Sequence, residues 1–153
     1  MANTLTSQKL KDHATAWAYK FTHENDGSGN ESFVTKVTAN NLIASTGDGS
    51  SQRLTINKLF WSIASGASAT QSPIVKLSWS GDAPNTAVTL TGSGVFDLVT
   101  NGTCPITNDI ANTNGDLLIS TVGFTNGAAY TIIVEGKKTA GYSSREVTDD
   151  GIS

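Results

Sequence analysis

From Ala14 to Thr22 the chain alternates, with Trp17, Tyr19 and Phe21 on one side of an extended backbone and Ala16, Ala18 and Lys20 on the other. A period of two belongs to a strand, so the stretch predicts a β-strand whose bulky face is turned to a core. The pattern recurs after every cluster of turn residues. Phe33, Thr35 and Val37 follow "NDGSGN" and predict a partner strand, the two forming a hairpin with a longer loop. Leu54 and Ile56, then Leu59, Trp61 and Ile63, share a face across a phase slip at Asn57 and Lys58, as a β-bulge produces. Val75, Leu77 and Trp79 come next, then "AVTL" after the turn "SGDAPNT", then "GSGVFDLV". A polar loop from about Thr100 to Asn114 precedes "GDLLISTVGF" and "YTIIVEGKK". Between these two runs, "TNGAA" predicts a tight hairpin, because Asn126 and Gly127 tolerate the positive φ such turns require.

Seven or eight short strands at this spacing predict an all-β single domain, an antiparallel β-sandwich or jelly-roll-like fold. No long helical period competes with them. "TLTSQKLKDHA" has room for a helical turn or two, but Leu5 and Leu10 lack the companions that a stable apolar face needs. "TAGYSSREVTDDGIS" carries only Tyr142, Val147 and Ile152 to bury. The expected organisation is an N-terminal arm over residues 1–12, a sandwich over 13–138 and a C-terminal arm over 139–153. Leu5, Leu10, Tyr142, Val147 and Ile152 are the candidate partner contacts.

Composition narrows the function. Charged residues make up 15% of the 153, against roughly 25% in ordinary soluble domains, and Thr, Ser, Asn and Gly take their place. Eight Lys and two Arg are scattered, with Lys137 and Lys138 the only adjacent pair, and the formal charge is −3. A phosphate-binding surface needs clustered cations, so nucleic acid is not an expected partner. No charged segment followed by an apolar run opens the sequence and none is long enough to cross a bilayer, so synthesis in a cytoplasm without membrane insertion is expected. Cys104 is the only cysteine, which excludes an intramolecular disulfide and a cysteine-rich zinc site.

Catalytic chemistry has little to stand on. His13 and His23 lie in no catalytic spacing, and "HEND" lacks the second His of a zinc-protease helix. "GSGV" around Ser93 is not a nucleophile elbow. Asp26, Asn30 and Glu31 offer hard oxygens beside glycine, as does Asp48, but their spacing does not match a calcium loop. Asn, Asp and Gly have backbone reasons of their own to occupy turns, so an exposed hairpin tip is the favoured reading. Trp61 and Trp79 have apolar neighbours two positions away, which marks core positions and not a sugar platform. No catalytic residue, metal or cofactor is expected.

"ATAWAYKFTHENDGSG", "LTINKLFWSI", "IVKLSWSGDA" and above all "LTGSGVFDL" with "NTNGDLLISTVGFTNGAAYTIIVEGKK" resemble small virion structural proteins of tailed bacteriophages, particularly those of cyanobacteria and marine bacteria. The resemblance covers about residues 7–138, and its motifs are structural. It implies a non-enzymatic virion component made in the host cytoplasm. Foremost is a head decoration or cement protein that contacts the major capsid protein or neighbouring virion proteins and self-associates. A neck, tail or fibre-associated protein is the alternative within that class, and a carbohydrate-binding host-attachment module the alternative outside it.

Overall fold

The computed structural model describes residues 3–13, 15–27, 29–43, 45, 52–66, 70–81, 84–98, 105–108, 113–140 and 142. Among these residues eleven strands follow one another: β1 (Thr4–Asp12), β2 (Ala16–Glu24), β3 (Val34–Val37), β4 (Arg53–Ile56), β5 (Lys58–Ala64), β6 (Ile74–Trp79), β7 (Asn85–Leu90), β8 (Ser93–Asp97), β9 (Ile106–Thr107), β10 (Leu117–Val122) and β11 (Ala129–Ala140). A short 3-10 turn over Ala39–Asn41 is the sole helical element among the described residues. The strands form an antiparallel β-sandwich of a seven-stranded and a four-stranded sheet. This is the expected fold class, divided into more strands than the seven or eight expected.

In the larger sheet, β11 lies between β2 and the consecutive pair β4 and β5, with β1 outside β2, β8 outside β5 and β9 outside β4. The smaller sheet has the order β3, β10, β6, β7. Alternation decides what lies between them. Trp17 and Phe21 of β2, Ile132 and Val134 of β11, and Leu59 and Trp61 of β5 meet Val75, Leu77, Leu117 and Ile119 of the smaller sheet in one buried cluster. Trp61 and Trp79 are core residues, as their periodicity predicts.

The slip at Asn57 is real. It separates β4 from β5, and its N–H still donates to the Glu135 carbonyl at 2.8 Å. Beside it β11 runs so close to β4 that a Cβ on Gly136 would lie 1.7 Å from the Thr55 carbonyl oxygen. Only glycine fits there.

Both hairpins expected from adjacent runs are instead crossovers between the sheets. β3 pairs with β10 and not with β2, while β10 and β11 lie in opposite sheets. The turn before β11 is a single β-turn closed by Ala128 N–H donating to the Thr125 carbonyl at 2.9 Å, with Gly127 at φ 91°. That is the glycine position of a type II turn, and Asn126 does not share the positive φ. The true hairpins are β1–β2 and β6–β7.

Residues 1–12, expected as an arm with at most a turn or two of helix, contain the nine-residue strand β1. Its Thr, Ser and Lys side chains suit an extended edge, and β2 supplies the backbone partners that no helix could offer. Residues 139 and 140, assigned to the C-terminal arm, are the end of β11.

Candidate functional site

Among the described residues, three places in the sandwich gather chemically active side chains. The first is buried at one end of the core. His23 continues the inward phase of Trp17, Tyr19 and Phe21, and lies opposite Tyr130 of β11. The loop after β2 then brings Glu31 underneath it. Tyr130 donates its hydroxyl to Glu31 Oε1 at 2.7 Å, His23 Nδ1 donates to the same oxygen at 3.1 Å, and Lys36 Nζ lies 2.6 Å from Oε2. The His23 ring stacks on Tyr130 at 5.1 Å and meets the edge of Phe124 at 5.2 Å.

Burial by itself would raise the Glu31 pKa, but the hydrogen bonds from His23, Lys36 and Tyr130 together hold it below the usual carboxylate value. Burial and the adjacent carboxylate push the Tyr130 phenol well above its ordinary range. The cluster is therefore an ionised carboxylate enclosed by donors. Both of its oxygens are already spent, one on an ammonium group, which leaves Glu31 poorly suited to a calcium ion.

The loop that delivers Glu31 is a latch between the sheets. Asn25 forms an Asx turn with Gly27 N–H at 2.7 Å and donates to the Gly29 carbonyl at 2.8 Å. Glu31 N–H donates to Thr121 Oγ1 at 2.8 Å, while Thr121 N–H returns to the Glu31 carbonyl at 3.0 Å. Glu31 was expected at an exposed tip and is instead buried. The available signal was the alternation of β2, which carried two residues further puts His23 inside; no spacing in the sequence pairs it with Glu31.

The second place is a clamp where β1 and β11 end. Lys138, with a fully buried side chain, donates to Asp12 Oδ1 at 2.6 Å, to the Ile43 carbonyl at 2.7 Å and to the His13 carbonyl. Its ammonium lies 5.1 Å from the centre of the Tyr142 ring, and the Tyr142 hydroxyl donates to the Ala39 carbonyl at 2.6 Å. Tyr142, a candidate contact for a partner, is thus half-buried against its own chain. Leu5 and Leu10 are 42% and 47% exposed on β1, and Val147, Ile152, Cys104 and Asp48 lie outside the described residues.

The third place is the outer face of the seven-stranded sheet. Its registers set outward residues in rows that cross the strands. One row places Lys11, Ala18, Glu135, Lys58 and Asp97 side by side on β1, β2, β11, β5 and β8. Lys11 reaches over Ala18 to pair with Glu135, and Lys58 lies 3.8 Å from Asp97. The next row carries Lys20, Ile133, Phe60 and Val95, the last two 41% and 65% exposed. Two shallow depressions adjoin here, one of about 220 Å³ along the charged row and one of about 190 Å³ among the apolar side chains.

No protein-family model matches the sequence, and no curated protein matches it. Among the described residues, no group of three or more His, Cys, Asp or Glu side chains is gathered as metal ligands would be. No helix among them is long and apolar enough to cross a membrane.

Proposed function

We propose that this chain is a non-enzymatic structural protein of a tailed-phage virion, and that it decorates the head by contacting the outer capsid lattice. The observation that carries the reading is the edge strand β1. Among the described residues it pairs only with β2, seven of its nine residues are exposed, and it presents Leu5 and Leu10 along the edge facing away from β2. Such an edge accepts a strand or arm from a neighbouring subunit. Both ionisable clusters inside the sandwich are closed, donor-satisfied carboxylates, an arrangement that suits fold maintenance better than turnover.

The test keeps Asp12 and its clamp intact and replaces Leu5 and Leu10 together with Asp in the full chain. Particles assembled with this variant should lose most of the protein, while its circular dichroism spectrum matches that of the unaltered chain. Full occupancy would overturn the assignment. Copy number measured against the major capsid protein separates a decoration protein, present throughout the lattice, from a neck or tail component at roughly six or twelve copies.

A further inference from the structure

We propose that the outer face of the seven-stranded sheet docks the same face of a second copy, about a two-fold axis that runs along the strands between β11 and β5. The pairing stands whether or not the chain belongs to a particle. It follows from the order of charges across the sheet. Because Lys11 leans over Ala18, the charged groups read plus, minus, plus, minus from Lys11 through Glu135 and Lys58 to Asp97. The two-fold axis reverses that order on the facing copy. Lys11 then meets Asp97, and Glu135 meets Lys58, so every cation faces an anion twice over.

The neighbouring rows obey the same reversal. Ile133 of one copy meets Phe60 of the other, while the exposed Val95 meets the aliphatic stem of Lys20. One row further, Thr131 meets Ser62, and hydroxyls both donate and accept. Three consecutive rows that complement themselves under one axis meet the requirement of an isologous contact. Aligned sheet-on-sheet packing supplies the geometry.

The contact is small. The axis sets four strands of one copy, β2, β11, β5 and β8, over the same four of the other, so three rows at about 4.8 Å between strands cover roughly 400 Å² per copy, the size of a weak, transient contact. Weak pairing of this kind gains strength wherever copies are already held close together.

Sedimentation equilibrium of the full chain at low salt, over a series of protein concentrations, tests the proposal. The unaltered protein should form a reversible dimer that weakens as salt is added. Lys58→Glu and Glu135→Lys, each alone, set like charges opposite each other and should weaken the dimer by about tenfold or more. An equimolar mixture of the two variants restores opposite charges at both crossings, so it should dimerise although neither variant does alone. Recovery in the mixture also shows that both variants are folded. Three results each overturn the proposal: an unaltered chain that stays monomeric throughout, a dimer indifferent to either reversal, or a mixture that fails to recover.

Discussion

Glu31 and Glu135 are both carboxylates paired with lysine, yet the sandwich treats them in opposite ways. Glu31 lies between the sheets, its side chain 3% exposed, with Lys36, His23 and Tyr130 as fixed donors. Glu135 stands on the outer face, about one-third exposed and paired with a Lys11 that is equally open to water. Water screens the outer pair, so it contributes little to folding and remains free to meet another surface. The inner pair has no such freedom. Removing one partner there strands the other in a dry interior.

Truncating Glu31 should therefore give the largest effect. Glu31→Ala is expected to cost about 3–5 kcal/mol, the range for breaking a buried ion pair, because Lys36 is left without its anion and Tyr130 without its acceptor. Urea unfolding followed by tryptophan fluorescence measures it. A loss below about 1 kcal/mol, the scale of a surface pair, would erase the distinction between the two carboxylates.

The ease of reading these regions from the sequence differs for a physical reason. Alternation identified Trp17, Phe21, Val75, Leu77, Trp79, Leu59 and Trp61 as inward because a period of two is a local property of the backbone. It does not say which sheet a strand joins. Both faces of a sandwich look inward, so the runs around "NDGSGN" and "TNGAA" satisfied a hairpin and a crossover equally, and the structure has crossovers at both. Leu5 and Leu10 suggested an arm because too little of that segment is apolar, yet an edge strand needs hydrogen-bond partners more than it needs burial. The Glu31 cluster was illegible because it joins residues from β2, a loop, β3 and β11. The outward rows depend on long-range registers that adjacent residues do not encode.

Acid should sharpen the same contrast, with a smaller effect than truncation. The folded state holds the Glu31 pKa below its usual value of 4.5, and that of Asp12 below 3.8, where burial is outweighed by hydrogen bonds from Lys138 and the Ile43 amide. A carboxylate depressed in this way contributes stability that is fully present above its unfolded pKa and is lost as pH falls through the folded one. Unfolding free energy should thus decline from near pH 4.5 downward. Glu31→Gln cannot titrate, so its profile should be flatter in that window. Identical slopes for the two proteins would mean that Glu31 is not held ionised by its donors.

The smallest effect is expected on the outer face, and its smallness carries the argument. Lys58 is more than half exposed and 3.8 Å from Asp97, so Lys58→Glu should change unfolding free energy by no more than about 0.5 kcal/mol. Urea unfolding at a protein concentration low enough to keep the chain monomeric measures this without interference from association. The same substitution is expected to disrupt pairing between copies, because the two-fold axis sets the new carboxylate against Glu135 twice. Nearly unchanged folding combined with lost association would assign the alternating charges to contact between molecules. A large loss of monomer stability would instead place them with Glu31, as charges that the fold itself depends on.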